Sequence, residues 1–227
     1  MDAGAEFGAA LAGALEPLGL DLPPERLEVL TEHYHLLVEA NRRFNLTRKA
    51  EPVEAARWLY ADSLVVALWA RQAKRRMGRV LDVGSGGGFP ALPLAVLEPT
   101  WRVTALEATA KKVRFIQESA DRCGVANLQA VHAHSDHFKT DHRFDLVTFK
   151  AIASLERCLA IGQRFTSAGG CIAVYKTDPL DPDEARQGLA AAAQWGLRPL
   201  PRFAYELPER SGSVRLALHL FTRRGGQ

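Results

Sequence analysis

The 227-residue sequence holds only three cysteines, Cys123, Cys158 and Cys171, widely spaced and with no CxxC pair. Neither a disulfide framework nor a cysteine zinc site is expected. Reduced, mostly buried thiols in a cytoplasmic protein are the plain expectation. No apolar run is long enough to span a bilayer, so no membrane association is expected. The first residues lack a basic stretch ahead of an apolar one, which argues against a secretory signal. The Asn45-Leu46-Thr47 sequon then has no glycosylation reading. No GxxxxGK[ST] segment occurs, which disfavours a nucleoside triphosphatase. His132, His134 and His137 have no accompanying carboxylate pattern, so no metal is expected. An excess of one charge is also missing: the formal net charge is only +3. That permits a nucleic-acid partner without demanding one, and an RNA binder would need its Lys and Arg gathered on one face.

The composition, 47% hydrophobic and 24% charged, suits a globular core that needs no covalent staple. Two regions differ in pattern. Residues 1–77 read as a helical segment packed on the core. Leu27, Leu30, Tyr34, Leu37 and Asn41 recur at helical spacing after Pro23-Pro24, and a second helix is expected from about Pro52 to Lys74. Residues 78–227 alternate strand and helix. Strands are expected at Arg79–Val83, Trp101–Leu106, Leu128–His132, Phe144–Phe149 and Cys171–Tyr175. A helix over Lys111–Cys123 would bury Val113, Ile116, Ala120 and Cys123 before Gly124 stops it. Two late β-rich runs, Leu197–Tyr205 and Val214–Thr222, would form an antiparallel edge, and Arg223–Gln227 a frayed tail. The fold class is α/β, a Rossmann-like sheet that is mostly parallel, with added N-terminal helices.

The strongest chemical signal is Gly84-Ser85-Gly86-Gly87-Gly88 after the first strand. Glycines there allow a sharp turn and close approach of a ligand to the main chain. The loop by itself fits either a nicotinamide dinucleotide or S-adenosylmethionine. A dinucleotide fingerprint would have glycine or alanine where Phe89 stands, followed here by Pro90. A ring and a proline suit poorly a pyrophosphate at a helix N-terminus. Glu107 ends the second strand, where a carboxylate can accept both ribose hydroxyls. Ser135 and Asp136 follow the third strand, and Asp136 could hold an adenine amine. Asp82 either orients the loop or faces a cofactor amino group.

These residues resemble the bacterial 16S rRNA guanine-N7 methyltransferases of the GidB (RsmG) family. Asp82–Pro93 (DVGSGGGFPALP) is the most specific match. Asn45-Leu46-Thr47, Asp62-Ser63-Leu64, Lys111-Lys112-Val113-Arg114-Phe115, Lys150-Ala151-Ile152-Ala153, Tyr175-Lys176, and Leu207-Pro208 with Arg215 are similar to further family elements. Leu59 stands where the family has a histidine, Lys150 replaces an arginine, and Glu107 an aspartate.

The resemblance implies a class I methyltransferase fold, S-adenosylmethionine as cofactor and guanine N7 of 16S rRNA, or of a small-subunit precursor, as acceptor. Asp82, Gly84, Ser85, Gly86, Gly88, Phe89, Glu107, Ser135, Asp136 and Lys150 are then the cofactor-binding candidates. Lys150 is also the catalytic candidate, and Asn45, Lys176 and Arg215 would meet RNA. Arg42, Arg43, Arg48, Lys111, Lys112 and Arg114 could add phosphate contacts. A monomer is expected. The chain has neither an Asp/Asn-Pro-Pro-Tyr segment for an exocyclic amine nor a Pro-Cys pair for a pyrimidine carbon. Three alternatives stay open: a same-fold methyltransferase acting on another RNA or a small molecule, a cofactor- or RNA-binding module without transfer activity, and a nicotinamide oxidoreductase, which Phe89-Pro90 opposes.

Overall fold

A computed structural model describes residues 2–209 and 212–225. Helix α1 (Ala3–Leu15) and α2 (Pro24–Asn41) come first. Pro24 opens α2 at a position where a missing N–H costs nothing. The next helical run is continuous in three parts: α3 (Pro52–Ala55), a π turn (Ala56–Ala61) and α4 (Asp62–Gln72). Every residue of α4 from Asp62 to Ala70 is buried, as expected for a helix that is apolar all round and enclosed by other elements.

The sheet is built from β1 (Arg79–Val83), β2 (Arg102–Glu107), β3 (Leu128–His132), β4 (Phe144–Lys150), β5 (Thr166–Thr177), β6 (Leu197–Pro199), β7 (Phe203–Glu209) and β8 (Gly212–Arg223). Their order is β3-β2-β1-β4-β5-β8-β6, with β7 also on β8. The pairings β3-β2, β2-β1, β1-β4 and β4-β5 are parallel, while β8 runs antiparallel to β5, β6 and β7. Helices α5 (Ala91–Leu97), α6 (Ala110–Arg122), α7 (Leu155–Gly162) and α8 (Pro182–Gln194) complete the layers. One core joins Phe7, Leu37, Tyr60, Leu92, Ile116 and Leu218, so the N-terminal helices cover the same sheet face as α5 and α6. The other face holds Leu81, Val147, Leu159, Ile172 and Ala192 under α7 and α8. Strand order reverses between β1 and β4, which opens a crevice at the carboxyl ends of these strands.

The alternating strand-helix pattern and its antiparallel edge are present, with four local differences. The run Leu197–Tyr205 is two strands, because Pro199 and Pro201 cannot donate to a continuous ladder. β6 therefore pairs with the end of β8 and β7 with its beginning. Helix α6 buries Phe115, Ile116, Ser119 and Ala120, leaving Val113 and Cys123 half-buried. Its inner face is rotated because Phe115 turns toward His33 on α2. Arg223 is not frayed: its guanidinium donates to the carbonyls of Gln163 and Thr166, at 2.9 and 3.0 Å. Gly226 and Gln227, from the expected tail, lie outside the described residues. Cys158 and Cys171 are buried and Cys123 half-buried. Burial pushes the Cys158 thiol up to about 12 and the Cys123 thiol to about 11, so neither is poised as a nucleophile. Among the described residues, no helix is long and apolar enough to cross a membrane.

Candidate cofactor and substrate site

Strand β1 delivers Asp82 and then the glycine loop into the crevice. Gly84, Gly86 and Gly88 adopt φ of +74°, +57° and +93°, conformations that cost any residue with a Cβ. The loop is tied to β2, because Gly84 N–H donates to Leu106 O at 2.8 Å. Glu107 closes it from the other side. Its Oε2 accepts from Gly86 N at 3.0 Å and its Oε1 from Thr109 N at 2.8 Å. Each carboxylate oxygen has further lone pairs, so these bonds still leave room for ribose hydroxyls.

Beside the loop lies a cavity of about 260 Å³, lined among others by Gly84, Glu107, Ala108, Ser135, Ile152 and Arg157. Asp136 is not among its lining residues. Its carboxylate is held by Arg157 at 2.9 Å and faces Arg164 at 3.6 Å. The neighbouring histidines diverge: His132 Nε2 bonds Ala108 O at 3.0 Å, and His134 Nδ1 faces Asp136 at 3.6 Å.

Asp82 is fully buried. Its Oδ1 accepts from Thr148 Oγ1 at 2.9 Å. Its Oδ2 has no partner. Desolvation pushes the carboxyl up to about 6, against the opposing pull of Ser85, Thr148 and Lys150. An orphaned buried acceptor costs free energy until a donor arrives. An ammonium-bearing ligand in the crevice would supply one. The open glycine loop, the cavity under Glu107 and this acceptor together fit a cofactor that carries both a ribose and an amino group.

Phe89 is drawn out of the loop into the helical layer. Its ring lies 5.0 Å from Tyr60 and 5.6 Å from His33. His33 Nδ1 bonds the Tyr60 hydroxyl at 2.8 Å, and burial lowers its imidazole to about 3. Phe89 thus anchors the loop exit and does not line the cavity.

Lys150, at the end of β4, meets a different environment from a ligand-facing lysine. Its Nζ lies 2.9 Å from Asp62 Oδ2, 2.8 Å from Trp58 O and 3.2 Å from Ser63 Oγ. The Trp58 carbonyl belongs to the π turn, which presents it to the ammonium. The Tyr205 hydroxyl donates to the other oxygen of Asp62, and the Tyr175 hydroxyl donates to Ser63 O at 2.9 Å. Lys176 ends β5 next to it, with its ammonium 2.6 Å from Glu184 and 2.8 Å from Ala153 O. Burial raises the Glu184 carboxyl, but the Lys176 and Leu155 donors outweigh it and leave a net lowering. Arg215 sits on β8 against Asp178 at 3.2 Å. The C-terminal edge therefore collects Lys150, Lys176 and Arg215 on adjacent strands. Asn45 is solvent-exposed. The loop it occupies is held instead by Asn41, whose Oδ1 accepts from Leu46 N and Thr47 N at 2.8 and 3.0 Å.

Several contributors escaped the sequence reading. Asp62 had a signal: a carboxylate opening a wholly apolar helix must find a cation. Ile152 had none. It follows Ala151, a non-glycine residue at φ +57°, and lies over Gly84, where an added Cβ would meet its Cγ2 at 2.9 Å.

The profile of the GidB family, rRNA small subunit methyltransferase G, matches residues 26–196. The chain belongs to this family. A ribosomal RNA small subunit methyltransferase G from Solibacter usitatus is 37% identical over 91% of the chain and 96% of its own length. The Leuconostoc citreum protein of the same name is 30% identical over 88% of the chain and 84% of its length. In fold, a Klebsiella pneumoniae protein provisionally described as an O-methyltransferase superposes with a TM-score of 0.58 at 17% identity, over 95% of this chain and 97% of that one. The family's match spans the α2 helix, the glycine loop, Glu107 and Lys150, so the site residues lie inside the shared region.

Proposed function

We propose that the protein transfers a methyl group from S-adenosylmethionine to N7 of a guanine in 16S rRNA, in the cytoplasm. The single observation that carries the cofactor half is the unpartnered Asp82 Oδ2 beneath an open glycine loop, opposite Glu107. The acceptor half rests on family membership. When bound, S-adenosylmethionine supplies an electrophilic methyl group. Asp82 would accept from its amino group and Glu107 from its ribose hydroxyls. Ser135 and Ala108 would border the adenine side of the cavity.

Guanine N7 carries an in-plane lone pair and no proton, so the chain needs no general base. The carboxylates near the crevice accord with this: Asp62 is held by Lys150 and Tyr205, and Glu107 by two backbone N–H groups. Catalysis then comes from alignment of N7 with the methyl group, a source that can supply ~7–11 kcal/mol. Lys150 acts here as a positioning residue. By fixing the end of β4 on the π turn, it sets the Ala151-Ile152 corner over the glycine loop. Lys176 and Arg215 flank the same edge and offer cationic surface to RNA. Calorimetry tests the cofactor: binding of S-adenosylmethionine without NAD is expected, and the reverse would overturn the reading. Transfer of labelled methyl to small-subunit rRNA tests the acceptor.

A further inference from the structure

Helices α2 and α6 leave between them a groove of about 310 Å³ that is separate from the cofactor cavity. Arg43, Lys111, Arg114 and Arg122 line it, with the rings of Phe44 and Phe115. Two carboxylates also face it, Glu39 and Glu118. Glu39 is engaged by Arg43 at 3.1 Å, and Arg122 faces Glu32 at 3.8 Å. Among the described residues, Lys111 and Arg114 have no carboxylate in ion-pair range. Instead the Lys111 ammonium rests over the Phe44 ring, 5.5 Å from its centroid. No acid occurs in the first turn of α6, so the positive end of that helix adds to these cations. Thr109, the residue before α6, is bonded to Glu107. The groove therefore begins where the cofactor cavity ends.

An acidic peptide would use the cations but not the ring. A nucleotide uses both, since bases of single strands stack on aromatic faces while phosphates take Lys and Arg. We propose that the α2–α6 groove binds a single-stranded segment of the RNA substrate next to the methylation site. An unpaired base stacks on Phe44, where the Lys111 ammonium now rests, and Lys111 and Arg114 move onto the flanking phosphates. The inference rests on the RNA-methyltransferase reading above and adds a binding site to it.

Steady-state methylation of 16S rRNA at several salt concentrations tests this. Three proteins are compared with wild type: Lys111→Ala/Arg114→Ala, Phe44→Leu, and an Arg79→Ala/Arg102→Ala control. The control removes two exposed cations at the opposite ends of β1 and β2. The groove double variant should raise KM for RNA by ~10-fold or more and flatten the logarithmic salt slope by about 2, one per lost phosphate contact. Phe44→Leu should raise KM and leave the salt slope alone. S-adenosylmethionine affinity should be unchanged throughout, and the control should behave as wild type. A groove double variant that matches wild type or the control in KM and slope would overturn the proposal, as would capture of an acidic peptide with RNA KM unaltered. If wild type itself fails to methylate the rRNA, the substrate reading falls first and takes the groove with it.

Discussion

Lys150 Nζ lies 2.9 Å from the Asp62 carboxylate, with side chains only 11% and 9% exposed. The pair joins the start of α4 to the end of β4, so it couples the helical layer to the edge where the cofactor crevice opens. A buried ion pair adds little over a well-packed apolar pair, but losing one partner strands a charge. Asp62→Ala should therefore cost about 3–5 kcal/mol in urea unfolding. An Asp62→Leu/Lys150→Met double variant should recover much of that loss. A single-variant cost below ~1 kcal/mol, as for an exposed pair, would contradict this role.

Asp82 sets a pH dependence of stability in the absence of cofactor. Its folded carboxyl is raised by burial to about 6, above its usual 3.8. The folded state thus keeps its proton longer than the unfolded chain. The stabilisation is full below pH 3.8 and is lost as pH rises through 6. The shift corresponds to about 3 kcal/mol. Asp82→Asn should remove this contribution and be more stable than wild type at pH 8, while binding S-adenosylmethionine less tightly. Parallel stability–pH curves for the two proteins would count against it.

Glu107→Ala removes the acceptor of Gly86 N and Thr109 N as well as the ribose partner. Cofactor affinity should fall by ~1–3 kcal/mol for the lost charge-assisted bonds. Glu107→Asp should fall between, since its shorter side chain retains the charge. Wild-type affinity in Glu107→Ala, measured by calorimetry, would reject the assignment.

Gly84→Ala carries two separate penalties. The left-handed φ of +74° costs about 1–2 kcal/mol, and the new Cβ meets Ile152 Cγ2 at 2.9 Å. Adding Ile152→Ala should relieve only the second. Thermal unfolding and cofactor affinity of the single and double variants check this. A double variant no better than Gly84→Ala would show that Ile152 yields freely.

The parallel sheet was legible because Arg79–Val83 and Leu128–His132 are short apolar runs bounded by turn residues, and their limits agree with β1 and β3. The glycine loop was legible because its conformation demands its residue type. Lys150 was legible as important, but not in its role. Its partners, Asp62 and the carbonyl of Trp58, lie about ninety residues earlier, on a π turn that no local pattern announces. Asp82 looked equally fit for loop or cofactor. Only its full burial and its one unpartnered oxygen separate those readings. The basic residues Arg43, Lys111 and Arg114 were legible as charges, while their convergence around Phe44 depends on how α2 packs against α6.

The most direct measurement maps methylation in small-subunit rRNA from a strain lacking this protein, before and after incubation with purified protein and labelled S-adenosylmethionine. Cleavage chemistry specific for N7-methylguanine should reveal one guanine in 16S rRNA that is unmodified beforehand and carries the label afterwards. No incorporation into 16S rRNA, or label on an atom other than guanine N7, would contradict the proposed activity.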